Sequence, residues 1–207
     1  MKYWYWFIQT FFFQPVTGLA IRLFYRVEVS GKENLSKLKT PVIAVANHKG
    51  IVDSFLMGFV FPWSSKFYPM RYMAEEIKFN GPFLDFFRKI KLLKLLYRIG
   101  GAFPSGRGLG LEGAIQHPLK LLAKGETIVM FPEGRIIKEP SLGIFYPGAA
   151  ALALRSSANL LPIAIRPVGR KIFIKIGEPF RLGSNPHPLT IDEATQIIKE
   201  KIQNLLG

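Results

Sequence analysis

The chain is predicted to fold as an α/β domain, a largely parallel or mixed central sheet flanked by helices, with an N-terminal two-helix motif that seats on a membrane. Three observations predict this. Short runs rich in β-branched residues recur between longer helical patterns, and that alternation is the signature of α/β architecture. The length, 207 residues, suits one domain with a proper core plus an appendage. Large aromatics crowd the first 25 positions, before the alternation begins. The expected division is therefore an appendage over 1–26 and an α/β domain over 27–207.

The opening stretch, MKYWYWFIQTFFF, lacks the Leu/Ala-rich core and small-residue cleavage site of a secretory signal. Gln9, Thr10, Gln14, Pro15 and Thr17 interrupt it too often for about 20 uninterrupted apolar residues, the length of a membrane span. Pro15 disfavours helical geometry at Gln14, so two short helices are expected, about 2–13 and 16–26, meeting at Pro15. Aromatics on every helical face exceed what one packing stripe requires, and Trp and Tyr suit the headgroup level.

After Arg26, VEVSGKEN reads as a short strand and turn. PVIAVAN at 41–47 reads as a buried strand, and SFLMGFVFP as a short helix ended near Pro62. KFYPMRYMA at 66–74 is a second strand weakened by Pro69, followed by amphipathic helical pieces at 81–90 and 91–99. LEGAIQHPLKLLAKG at 111–125 is helical, bent near Pro118 and closed by Gly125. ETIVMFP at 126–132 is a buried strand, and PGAAALALRSS at 147–157 is a small-residue helix able to pack closely on a sheet. Strands at 159–165 and 171–177 follow, then a last helix in which Thr190 and Glu193 have capping-box spacing.

Net charge is +14, from 28 basic against 14 acidic residues, and so large an excess calls for an anionic partner. The basic residues are interleaved with apolar ones, as in FFRKIKLLKLLYRIG at 86–100, the pattern of an interfacial amphipathic surface. No nucleic-acid signature accompanies them, so an anionic membrane surface is expected rather than nucleic acid. Cysteine is absent, which excludes disulfides, thiolate metal sites and a Cys nucleophile.

In open α/β sheets, active groups collect at the carboxyl ends of strands. NHKGIVD, 47–53, lies at one such end. There Asp53 falls in a first helical turn, and the loop is short enough to fold His48 back onto it. The Asp would then fix the tautomer and leave the other ring nitrogen as a base; alternatively, Asp53 only caps the helix and His48 is a turn residue. FPEGR, 131–135, sets Glu133 beside Arg135, with Gly134 permitting close backbone approach to a ligand. GAFPSGRG, 101–108, reads as a loop whose one charge is Arg107, and LLPIAI is a strand opened by Pro162. His117 and His187, each beside a proline, read as structural or surface residues.

Taken in order, NHKGIVD, GAFPSGRG, FPEGR and LPIAI resemble the four motif blocks of the bacterial PlsC-type 1-acyl-sn-glycerol-3-phosphate acyltransferases, over about residues 25–180. The aromatic N-terminus looks like that family's membrane-seating motif. The resemblance implies acyl transfer from an acyl-CoA or acyl-carrier-protein thioester to the 2-hydroxyl of lysophosphatidate, giving phosphatidate. No cofactor beyond that co-substrate is implied, and the place implied is the cytoplasmic face of the membrane, monotopically. By the same resemblance His48 is the general base and Asp53 its orienting partner. Arg107 and Arg135 bind the acceptor phosphate, Glu133 and Gly134 form the acceptor site, and Pro162 shapes the acyl-donor side. Two positions depart from the family pattern: Gly50 stands where Ser is frequent, and Arg135 follows Gly134 directly where FPEGTR is more common. A non-catalytic lipid-binding module of the same fold, and an acyltransferase acting on glycerol-3-phosphate or another lysolipid, are the alternatives.

Overall fold

The structure, a computed structural model, describes residues 2–74, 95, 98–106, 108–184 and 188–207. The strands are β1 Arg26–Ser30, β2 Val42–Ala46, β3 Met70–Ala74, β4 Ala102–Pro104, β5 Thr127–Met130, β6 Asn159–Val168 and β7 Lys171–Ile176. The helices are α1 Lys2–Ile8, α2 Gln14–Phe24, α3 Asp53–Val60, α4 Gly110–Leu122, α5 Gly148–Ser156 and α6 Ile191–Leu206. One sheet has the order β1-β7-β6-β2-β5-β3-β4. Only the β6–β7 hairpin pairs antiparallel; every other neighbour is parallel.

The central strands are buried on both faces, as parallel strands covered by helices must be. Val42, Ala44 and Ala46 of β2 face Leu56, Met57 and Val60 of α3, with Ile21 of α2 in the same cluster. Ile43 and Val45 face the other way, toward Ala149–Ala153 of α5 and Ala194, Ile198 and Ile202 of α6. The run of alanines lets α5 lie close on the sheet. At the start of α6, Thr190 Oγ1 accepts from Glu193 N–H and the Glu193 carboxylate accepts from Thr190 N–H, the expected capping box.

Four expectations are revised. The N-terminal helix does not break at Gln14: α1 and α2 are joined by a π-helical turn, Gln9–Phe13, in which Gln14 N–H bonds the Gln9 carbonyl. Pro15 has no N–H, and its ring crowds the carbonyl four residues back; widening the preceding turn relieves both. Tertiary bonds hold the widened turn. Gln9 Nε2 donates to Met70 O (2.6 Å) and Gly100 O (2.9 Å), Gln9 Oε1 accepts from Met70 N–H (2.8 Å), and Trp63 Nε1 donates to Thr10 O (2.7 Å). β3 starts after Pro69 rather than at Lys66. GAFPSGRG is not all loop, because Ala102–Pro104 pairs with Tyr72–Ala74. β6 runs three residues past the expected end, to Val168. The helical pieces expected at 81–90 and 91–99 lie almost wholly outside the described residues, as do Arg107 and His187.

Residues Tyr3–Phe24 form a 22-residue helical run long and apolar enough, at mean hydropathy 1.2, to cross a membrane by length and composition. Most of its large apolar side chains face solvent, among them Trp4, Phe12, Leu19 and Phe24.

Candidate active site

β2 ends at Ala46, and the next residue continues its pairing by other means. Asn47 is fully buried; its Nδ2 donates to Ile165 O (2.9 Å) and its Oδ1 accepts from Ile165 N–H (2.7 Å). The side-chain amide thus copies a backbone rung to β6 and frees the main chain to turn. His48 follows at the carboxyl edge of the sheet.

Asp53 opens α3 and is 2% exposed. Its Oδ2 faces three donors: His48 Nδ1 at 2.8 Å, Lys49 N–H at 2.5 Å and Gly50 N–H at 2.8 Å. A carboxylate oxygen accepting from Nδ1 sets the tautomer, so Nδ1 carries the proton and Nε2 is left with its lone pair. Nε2 has no hydrogen-bond partner among the described residues. The imidazole, its side chain 20% exposed, stacks on Phe131 with centroids 4.5 Å apart and planes at 24°. Ring plane, tautomer and outward nitrogen are therefore all defined.

The second seam meets the first across β2 and β5. Glu133, 1% exposed, accepts from His48 N–H at 2.6 Å through Oε2 and from Gly143 N–H at 2.8 Å through Oε1. His48 O in turn accepts from Ile137 N–H at 2.8 Å. Lys49 Nζ donates to the carbonyls of Glu139 (2.6 Å) and Ser141 (2.9 Å). The loop after β5 thus grips the His48 loop from both sides.

His48, Asp53 and Glu133 come together. Gly134 and Arg135 sit beside them on an exposed turn, with Gly134 at φ +62°, where a side chain would be strained. Pro162 is buried in mid-sheet opposite Val45, and its ring lies beneath Gly177 and Leu205, in the layer under α6. Asn47, Lys49 and Phe131 complete the site without carrying an expected role, the first two inside NHKGIVD and the third inside FPEGR. Gly50 contributes its backbone N–H to Asp53. Among the described residues, no group of three or more His, Cys, Asp and Glu side chains is placed to hold a metal.

An imidazole oriented by a buried carboxylate, with its other nitrogen at the carboxyl edge of an α/β sheet, is an arrangement able to act as a general base. The chain belongs to the acyltransferase family, whose description matches residues 26–166. It is 31% identical over 170 residues to the 1-acyl-sn-glycerol-3-phosphate acyltransferase of Bacillus subtilis, covering 78% of this chain and 77% of that one. It is 26% identical over 158 residues to the chloroplastic 1-acyl-sn-glycerol-3-phosphate acyltransferase of Arabidopsis thaliana, covering 74% of this chain but 39% of that protein's length. It spans 41% of the Brassica napus counterpart. The crystal structure of the 1-acyl-sn-glycerophosphate acyltransferase PlsC from Thermotoga maritima superposes with a TM-score of 0.66 at 22% identity, over 92% of this chain and 75% of that one, a likeness of fold.

Proposed function

We propose that the protein transfers a fatty acyl group from an acyl-CoA or acyl-carrier-protein thioester to the 2-hydroxyl of 1-acylglycerol-3-phosphate, giving phosphatidate. The observation that carries this reading is the 2.8 Å contact between His48 Nδ1 and Asp53, which leaves Nε2 open at the sheet edge. In the step proposed, Nε2 takes the hydroxyl proton as that oxygen attacks the thioester carbonyl carbon. Asp53 holds the imidazolium. The tetrahedral adduct collapses, the carbon–sulfur bond breaks, and the imidazolium returns the proton to the thiolate. A positioned base contributes roughly 10²- to 10⁴-fold; positioning and oxyanion stabilisation supply the rest. The N–H groups of His48, Lys49, Gly50 and Gly134 are all bonded within the protein, so the oxyanion donors lie elsewhere. Arg107 and Arg135 are the proposed phosphate ligands, Gly134 lets the acceptor approach, and Pro162 shapes the donor side from beneath. The reaction calls for no cofactor.

The site is proposed to work at an anionic membrane surface, on its cytoplasmic face. The aromatic helix supports seating rather than spanning. It is tied to the domain by hydrogen bonds at Gln9 and Thr10, which oppose its threading through a bilayer while the domain stays in water. The test is acyl transfer to labelled lysophosphatidate in vesicles with either thioester, comparing the parent with His48→Ala. The variant is expected to lose turnover while keeping its fold and vesicle binding; turnover at the parent rate would sink the reading.

A further inference from the structure

A second cluster of charge lies on the same edge of the sheet. β6 runs parallel to β2, so its last residues, Arg166 to Val168, project beyond the level of His48. The chain turns at Gly169, with φ +59°, and returns as β7; β1, parallel to β7, starts at this edge. The hairpin tip is locked to the end of the N-terminal helix. Arg170 Nε donates to Phe24 O (3.0 Å), its Nη2 to Leu23 O (3.3 Å), and its carbonyl accepts from Arg26 N–H (2.8 Å).

Between helix end and hairpin is an open cleft of about 570 Å³. Its lining carries four cations, Arg22, Arg26, Arg170 and Lys171, and no acid. Glu28, two residues along β1, pairs with Arg26 at 3.1 Å. Exposed apolar side chains stand at its rim: Leu23 at 66%, Phe24 at 63% and, at the hairpin tip, Val168 at 54%. A site for a soluble anion has no use for such side chains in water, and a nucleic-acid groove would not set a leucine and a valine at its mouth. Cations with aliphatic and aromatic neighbours at one level match the boundary between headgroups and acyl chains.

We infer that this cleft is a second lipid site, which takes the headgroup phosphate of an anionic bilayer phospholipid while Leu23, Phe24 and Val168 enter the acyl region. It is distinct from the His48 site and anchors the helix end and the hairpin tip at one depth, which places the catalytic edge against the leaflet. The inference does not depend on the chemistry proposed for His48.

The test uses the full chain and the double variant Arg22→Gln/Lys171→Gln, two cations that donate to no backbone group. Binding is measured by sedimentation with neutral phosphatidylcholine vesicles and with vesicles containing phosphatidylglycerol. Each cation at an anionic surface contributes about five-fold in affinity, so the pair should weaken binding to anionic vesicles by about 25-fold and leave neutral vesicles unchanged. Acyl transfer to a short-chain, water-soluble acceptor should persist, which separates this inference from the acyl-transfer reading. Unchanged affinity for anionic vesicles, or equal loss on both vesicle types, would overturn it.

Discussion

Replacing Glu133 with Gln separates two roles for this carboxylate. If Glu133 holds the His48 loop, both oxygens are already occupied: Oε2 by His48 N–H and Oε1 by Gly143 N–H. A glutamine has the same shape but one oxygen. Whichever way the amide points, its NH₂ meets a backbone N–H and repels it. One hydrogen bond to a charged acceptor is lost, about 1.5–3 kcal/mol, and one buried donor is left unpaired, about 1–3 kcal/mol more. The expected loss is therefore about 3 kcal/mol or more, read as a lower urea midpoint at unchanged slope. The displaced loop carries the base, and a shift on the order of 1 Å is enough to cost about 10²-fold in rate. Steady-state kinetics with lysophosphatidate varied should show kcat falling by about that factor, with KM for the acceptor little changed. If stability and kcat were preserved and only the acceptor KM rose, Glu133 would be a substrate ligand and the clamp would be wrong.

Gln9→Leu keeps the volume but strips Met70 N–H, Met70 O and Gly100 O of their partner, so thermal denaturation should report a loss of about 3 kcal/mol, with earlier proteolysis of the N-terminal helix. Gly58→Ala tests the packing of α2 on α3. In an open helix it would stabilise by up to about 1 kcal/mol, but here the added Cβ would lie 1.5 Å from Gln14 Oε1, in a buried side chain. A destabilisation of about 1–3 kcal/mol is expected instead, and the sign alone decides. Burial, then Arg71, Lys120 and Lys124, hold the His117 imidazole below its ordinary value of 6.5. As pH falls through that value the unfolded chain takes a proton that the folded chain resists, so stability declines from there down to the lower folded value. His117→Gln should flatten that segment of the stability curve, followed by urea midpoints between pH 7 and 5.

What could be read in advance was what is local. β2, β5, β6 and β7 are short β-branched runs, and their type follows from composition alone. His48 and Asp53 are five residues apart across a strand-to-helix turn, so a short loop brings them together without help from the rest of the chain. The ties that finish the site span far greater separations: 85 residues from His48 to Glu133, 118 from Asn47 to Ile165 and 61 from Gln9 to Met70. The first two depend on β2 lying between β6 and β5, and the third on the N-terminal helix reaching β3, an arrangement that no periodicity encodes. Pro15 failed as a helix breaker for the same reason. Its local preference is opposed by tertiary bonds from Gln9 and Thr10, which hold a π-helical turn open just before it.

The two buried carboxylates have a chemical consequence beyond stability. Asp53 and Glu133 together accept the N–H groups of His48, Lys49, Gly50 and Gly143 as well as Nδ1 of the ring. His48 Nε2 has no hydrogen-bond partner among the described residues. No Ser or Thr hydroxyl is bonded to it among the described residues, cysteine is absent from the chain, and the loop between His48 and Asp53 holds only Lys, Gly, Ile and Val. In the proposed reaction such a base acts on a hydroxyl that arrives with the substrate. On the acyl-transfer reading proposed above, this arrangement favours direct transfer between two bound substrates, with Gly50 contributing its backbone N–H to Asp53.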